Sequence, residues 1–151
     1  MVNRVVCVGN RYHPEDSAGP RVYDLIARNG LPAGVEAVDG GLAGLDLFPR
    51  VEGADRVVFV DAAIGFDPGE GLVVTTGAEA ARTGAETFGH SAGIGYLIRC
   101  LPYLLDHPAP EILVVGVPVP FRDDAIREAA RIAPLLAAHG IDAMRASNEE
   151  A

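Results

Sequence analysis

The sequence has few basic residues and no long apolar run, and these shortages exclude several classes of protein. It has 12 basic residues against 21 aspartates and glutamates, so the formal net charge is −9. Binding to a phosphate backbone needs clustered basic side chains, and we therefore expect no nucleic-acid partner. No apolar run approaches the roughly 18–20 residues of a membrane-spanning helix, so we also expect no membrane partner.

Cysteine is scarce as well, and a secretion signal is missing. The two cysteines, Cys7 and Cys100, lie in apolar stretches and form no CxxC pair. This usage predicts two buried thiols in a reducing compartment rather than a disulfide scaffold. The N-terminal residues lack the basic stretch, apolar stretch and cleavage site of a signal peptide, so we expect a cytoplasmic protein.

What the sequence does have is enough apolar residues for one packed core. Of its 151 residues, 49% are hydrophobic and 22% are charged. This length suits one compact domain and is short for two. We therefore expect a single domain over residues 1–151, present as a monomer.

Strands and helices alternate along the chain, which predicts an α/β fold. Apolar runs bounded by turn residues predict strands, and apolar residues at i, i+3 and i+4 predict helices. The expected strands are 4–8, 35–38, 56–60, 71–76 and 112–117, and the main helices are 20–29, 94–105 and 123–139. Residues 77–88 have no strong periodicity and are predicted to form a loop. The alternation indicates a three-layer sandwich, with a mostly parallel five-stranded sheet and helices on both faces.

Acidic residues follow two of these strands. With the common 2-1-3-4-5 strand order, a ligand crevice lies between strands one and three. Glu15 and Asp16 follow strand one, and Asp61 ends strand three. An acid behind five strand residues should be partly buried and must meet a cation, a metal or several donors. For Asp16 and Ser17, a simple helix N-cap remains an alternative.

One of the four histidines completes a candidate site. His90 lies between Gly89 and Ser91 before a predicted helix, so a loop can present it to the crevice. His13 is a possible accessory group, whereas His107 and His139 are interpreted as structural. Two carboxylates and one imidazole suit nickel, zinc, iron or manganese, with open positions for water or substrate.

Several short segments, taken in order, resemble the [NiFe]-hydrogenase maturation endopeptidases. These segments are Gly9-Asn10, Glu15-Asp16-x-x-Gly19, Val38-Asp39-Gly40-Gly41, Gly44-Leu45-Asp46-Leu47, Val58-Phe59-Val60-Asp61-Ala62 and His90. No single segment is specific, but the ordered set is. The sequence departs from the family at Arg11-Tyr12-His13-Pro14, at Ser17 and at residues 117–121, which leaves the identity of the client open.

The resemblance implies a function and assigns three residues. Such enzymes are aspartic-type endopeptidases that remove a C-terminal extension from the hydrogenase large-subunit precursor after nickel insertion. By resemblance, Asp16, Asp61 and His90 contact the metal and carry the catalysis. The nickel is carried by the client precursor and is not held tightly by the protease. Whether it activates the scissile bond or only docks the client stays open.

Two other functions fit parts of the sequence. Gly89-His90-Ser91-Ala92-Gly93 matches the GxSxG pattern of serine hydrolases, with Asp123 or Asp124 and His139 as partners of Ser91. The apolar strand that should precede that motif is absent from the sequence. Gly40-Gly41-x-x-Gly44 follows a strand, as in nucleotide-binding modules, but lacks the full GxGxxG spacing.

Overall fold

A computed structural model describes residues 2–42, 44–82, 94–105 and 109–149. The five strands form one sheet in the order β2-β1-β3-β5-β4. The strands are β1 (Asn3–Val8), β2 (Val35–Gly41), β3 (Arg56–Ala63), β4 (Val73–Thr76) and β5 (Glu111–Pro118). The helices are α1 (Ala18–Asn29), α2 (Phe48–Val51), α3 (Gly77–Arg82), α4 (Ile94–Leu104), α5 (Asp123–His139) and α6 (Ile141–Glu149), with 3₁₀ helices at Gly44–Leu47 and Pro68–Glu70.

The sheet confirms the predicted α/β class and corrects the assumed strand order. Strands β1, β2, β3 and β5 are parallel, and β4 pairs with β5 in the antiparallel direction. The fourth strand in the chain therefore lies at the edge, outside the fifth. Two parallel strands must be joined by a crossover connection. The chain between β3 and β5 forms such a connection, and β5 therefore lies beside β3.

Two apolar layers cover the sheet because strand side chains alternate between its faces. On one face, Val5 and Cys7 of β1 are buried in the same cluster as residues of α1 and α5. On the other face, Val6 and Val8 share a cluster with residues of α2, α3 and α4. Helices therefore flank both faces, as expected.

Three local predictions are wrong. β3 does not end before Asp61 but continues to Ala63, because Ala62 and Ala63 are buried and still pair with β5. Residues Gly77–Arg82 form helix α3 instead of a loop, and residues 83–88 lie outside the described residues. Finally, helix α6 was not predicted, because the apolar periodicity of its sequence is weak.

The cysteines differ from each other. Cys7 is buried, as predicted, and burial raises the pKa of its thiol well above the usual range. Cys100 is only half-buried, because it lies on the side of α4 that carries the exposed Tyr96 and Tyr103. Within the described ranges, none of the helices combines the length and the hydropathy needed to cross a bilayer.

Candidate active site

The loop between β1 and α1 is built from turns that bring Asp16 back to the end of β1. The His13 amide donates to the Asn10 carbonyl at 3.1 Å, and the Asp16 amide donates to the His13 carbonyl at 3.0 Å. The loop then closes on itself, since the Asn10 amide donates to Oδ2 of the Asp16 side chain at 3.1 Å. The carboxylate is therefore held beside the residue that directly follows Gly9.

Two glycines allow this close approach. Gly9 has φ +143°, and a Cβ there would lie 2.2 Å from the Asp16 carbonyl oxygen. A Cβ on Gly19 would lie 2.0 Å from the carbonyl oxygen of Val8, the last residue of β1. Both distances are far below van der Waals contact, so any larger residue would push the loop or α1 away from the strand.

Of the two adjacent acids in this loop, only Asp16 is buried. Asp16 is only 2% exposed, whereas Glu15 lies on the surface. The N-cap interpretation of this segment is wrong, because Ser17 occupies the N-cap position of α1 and makes no side-chain capping bond. The Asp16 carboxylate accepts from the loop backbone instead.

Asp61 lies inside the central strand rather than after it. β3 is flanked by β1 and β5, and Asp61 is 0% exposed and in register with Gly116 of β5. Its Oδ1 accepts a hydrogen bond of 2.8 Å from the Ala62 amide. Burial and then the negative charge of Asp16 raise the pKa of Asp61 well above 3.8, and the Ala62 bond offsets part of this.

Each carboxylate keeps one buried oxygen without a hydrogen bond. Oδ1 of Asp16 and Oδ2 of Asp61 have no partner among the residues that the structure describes. Leaving a buried carboxylate oxygen unpaired costs on the order of 1–3 kcal/mol or more. Such a pair is chemically suited to a divalent cation, which would bind both oxygens and remove their repulsion.

The structure therefore brings two of the three predicted ligands together. Residues 2–42, 44–82, 94–105 and 109–149 contain no group of three or more side chains that could by themselves hold a metal ion. His90, the third predicted ligand, lies outside the described residues, as do Ser91 and His107. The expectation of a solvent-reachable cleft is not met by the two described carboxylates, because Asp61 is 0% exposed and Asp16 is 2% exposed.

The other candidate residues of this loop hold its shape. His13 is exposed, and its Nδ1 accepts from the Glu15 amide at 3.2 Å. Arg11 was missed as a candidate, although the departure from the family at residues 11–14 pointed to this segment. Its guanidinium donates to Asp24 of α1 at 2.7 and 3.2 Å and to Asp39 of β2 at 3.1 Å. The hydrogen bonds from Arg11 lower the pKa of Asp24.

The two alternative functions lose their structural basis. Asp123 and His139 are the first and last residues of the 17-residue helix α5, which places them about 24 Å apart at 1.5 Å per residue. They cannot belong to one hydrolase triad, and Asp124 is only one residue closer. The glycines at the end of β2 are followed by the four-residue 3₁₀ helix Gly44–Leu47, not by the long helix that a dinucleotide site requires.

A parallel α/β sheet with paired acids where the strand order reverses is compatible with several enzyme classes, and comparison with known proteins selects the peptidases. The family model of the hydrogenase maturation proteases matches residues 20–131. The chain therefore belongs to the hydrogenase maturation protease family. The matched segment includes Asp61 and His90, and Asp16 precedes it by four residues.

Solved structures have the same fold. The hydrogenase maturating endopeptidase HybD from E. coli is 20% identical, with a TM-score of 0.70 over 97% of this chain and 94% of that chain. The [NiFe] hydrogenase maturation protease HybD from Thermococcus kodakarensis is 24% identical, with a TM-score of 0.70 over 91% of this chain and 99% of that one. At these identities the likeness concerns the fold alone.

A curated relative is closer in sequence but over a shorter stretch. The hydrogenase expression/formation protein HupD of Rhodobacter capsulatus is 37% identical over 67 residues. These residues are 43% of this chain and 32% of the relative. The match thus spans about a third of the length of that relative.

Proposed function

We propose that this protein is an endopeptidase that removes the C-terminal extension of a nickel-loaded [NiFe]-hydrogenase large-subunit precursor. The observation that carries the proposal is the buried pair of Asp16 and Asp61, each with one unpartnered oxygen. A protein gains no stability from this arrangement, since two adjacent carboxylates repel each other and neither faces a cation among the residues that the structure describes. Membership of the hydrogenase maturation protease family supports the choice of reaction and client.

We further propose that Asp16, Asp61 and His90 recognise the nickel that the client carries. Asp61 shares a face of β3 with Phe59 and Ala63 by strand alternation, and these two residues are buried with residues of α3 and α4. Helix α3 ends at Arg82 and α4 begins at Ile94, so the chain enters and leaves residues 83–93 from that same layer. This connectivity supports His90 as the third ligand.

The backbone prepares the two carboxylates for this role. The Ala62 amide holds one oxygen of Asp61 and the Asn10 amide holds one oxygen of Asp16, so each side chain has one oxygen left for the metal. If Asp16 and Asp61 hold the client's metal, that metal would supply Lewis-acid chemistry, which polarises a carbonyl or activates a water. His90 binds only in its neutral form, so we expect processing to weaken below about pH 6.

The decisive experiment compares two forms of one precursor. The purified protein is incubated with nickel-loaded and with nickel-free large-subunit precursor, and the released extension is measured by mass spectrometry. We expect cleavage of the loaded form only, because each carboxylate has an oxygen without a partner in the described part of the chain, and the proposed role of the client's nickel is to bind there. Equal cleavage of both forms would refute metal recognition, and cleavage of neither would refute the proposed reaction.

Adjacent acids provide a matched control for the site. Asp16→Asn removes a buried carboxylate, whereas Glu15→Gln removes the exposed one beside it. We expect Asp16→Asn to abolish processing and Glu15→Gln to keep most of it. Ser91→Ala should also remain active, and covalent labelling of Ser91 by a serine-directed phosphonate would instead favour the hydrolase mechanism.

A further inference from the structure

A pocket of about 340 Å³ lies beside the candidate site, on the side of β2. Asn10, Arg11 and Tyr12 of the β1–α1 loop line one wall, and Asp39 and Leu42 at the end of β2 line another. The pocket is contiguous with the paired acids, because Asn10, which lines it, is also the residue whose amide donates to Asp16.

The charged groups of this pocket neutralise each other. Arg11 donates to Asp39 at 3.1 Å and makes two bonds to Asp24 of α1, so its guanidinium is engaged on both sides. Arg28 also acts on Asp24 as a nearby positive charge, so two guanidinium groups balance the two carboxylates and no net charge is left to attract a charged ligand. An ionised side chain entering this pocket would find no partner of opposite charge and would lose its hydration.

Two large side chains at this pocket are exposed. Tyr12 is 91% exposed and Leu42 is 47% exposed. Exposed apolar and aromatic groups beside a pocket are typical of surfaces that bind a partner, where aromatic residues contribute a large share of the affinity. The Arg11 bonds connect the loop to both α1 and β2, and they therefore restrict the movement of the neighbouring Tyr12.

We propose that this pocket is a client subsite that accepts an uncharged, apolar side chain flanking the cleaved segment, with Tyr12 and Leu42 as its contacts and Arg11 as the positioning residue. The inference rests on the proposed protease function, since the client is the only ligand whose chain must pass beside Asp16. It assigns a recognition role to the segment in which the sequence departs from its family.

The chain offers a closely matched control for the two contact residues. Tyr103 and Leu104 on α4 are 90% and 44% exposed, nearly the same as Tyr12 and Leu42. The double variant Tyr12→Ala/Leu42→Ala should raise KM for the nickel-loaded precursor on the order of 10-fold and leave kcat within about 2-fold. The control Tyr103→Ala/Leu104→Ala should leave both constants within about 2-fold of the wild type.

Arg11 variants test the positioning role separately. Arg11→Ala should raise KM to a similar extent, and Arg11→Lys should restore part of it, because an ammonium group cannot make the same forked bonds to Asp24 and Asp39. Thermal unfolding of each variant shows whether the protein is still folded at the assay temperature. If Arg11→Ala unfolds, the effect of the Tyr12/Leu42 double variant on KM decides whether the subsite exists.

The outcomes distinguish this inference from the function on which it rests. Cleavage by the wild type, with equal effects of the Tyr12/Leu42 and Tyr103/Leu104 variants, would overturn the subsite and keep the protease. A fall in kcat without a rise in KM would also overturn it. Absence of cleavage by the wild type on the loaded precursor would overturn both.

Discussion

Charged side chains are paired across the N-terminal end of the parallel sheet, whereas Asp61, near the C-terminal end of its central strand, is not paired with a cation in the described residues. At the N-terminal end, Arg4 of β1 pairs with Glu36 of β2 at 3.1 Å, and Arg56 of β3 pairs with Glu111 of β5 at 2.8 Å. At the C-terminal end of the same strands, Asp61 is buried near a second carboxylate and faces no cation in the described part of the chain.

This contrast separates arginines whose side chains stabilise the fold from two aspartates whose side chains do not. The arginines at the N-terminal end bridge neighbouring strands, and Arg56 also donates to the Ala137 carbonyl of α5 at 2.9 Å. Among the described residues, the side chains of Asp16 and Asp61 connect no two elements, because each accepts only from a backbone amide nearby in the sequence. The C-terminal end is thus less stable than it could be.

The largest effect should be on processing, and it should be confined to one end of the sheet. Asp61→Asn keeps the shape of the side chain but removes the charge that the proposed metal contact needs, so we expect processing to fall by at least about 100-fold. Arg56→Met lies on the same strand and should change processing by less than about 2-fold at a temperature where both variants are folded. Comparable losses in both variants would contradict the separation of roles.

Stability should respond most strongly at the N-terminal end. Arg56→Met keeps much of the apolar stem but removes the bond to Glu111 and leaves the Ala137 carbonyl without its donor. We expect the free energy of unfolding to fall by about 1–2 kcal/mol, which urea unfolding would measure. An unchanged midpoint would show that these bonds are replaced by water.

At the C-terminal end, the corresponding change in stability should have the opposite sign. The pKa of Asp61 is raised in the folded protein, so above about pH 4 the unfolded chain gives up a proton that the folded one retains. Wild-type stability therefore falls as pH rises from 3.8 towards the raised pKa, and Asp61→Asn lacks this fall. We expect Asp61→Asn to be more stable by roughly 1 kcal/mol or more at pH 7.

Unfolding at pH 4 and pH 7 checks this sign. The gap between Asp61→Asn and wild type should widen with pH, whereas Asp67→Asn, which removes an acid from an exposed turn, should not reproduce it. A gap that narrows with pH would mean that Asp61 is stabilised as an anion by a partner near it.

The smallest effect is expected for an ion pair on the surface of α5. Arg131 donates to Glu128 at 2.6 and 3.0 Å, but both side chains are about half exposed or more. Arg131→Met should cost no more than about 0.5 kcal/mol, because solvent screens such pairs. Arg131 lowers the pKa of Glu128 below 4.5, so even this cost should disappear in acid. A cost as large as that of Arg56→Met would contradict the comparison.

The core of the fold could be predicted because its strands are short apolar runs bounded by turn residues. Residues 56–60 and 112–117 alternate between two buried faces, and both form strands of the parallel sheet. The proximity of Asp16 to Asp61 followed from their places after β1 and near the end of β3. Only the general rule for parallel sheets was needed for that step.

What the sequence did not reveal depends on small side chains and on contacts between distant elements. Ala62 and Ala63 gave no strand signal, so the full burial of Asp61 was underestimated. Helix α3 is short and rich in alanine, so its own sequence has no clear apolar periodicity. The bonds of Arg11 join positions 13 and 28 residues away, which no local pattern encodes.

The placement of Asp61 within the central strand also has a consequence for motion. The Ala62 amide, which orients this carboxylate, lies in the buried part of the central strand where it pairs with β5, so its hydrogen exchange should require a larger opening than that of a loop amide. The Asn10 amide lies in a loop and should exchange through local opening. We therefore expect Asp61 to be the more rigid of the two acids and Asp16 to move with its loop, so accommodation to the proposed metal would fall to Asp16.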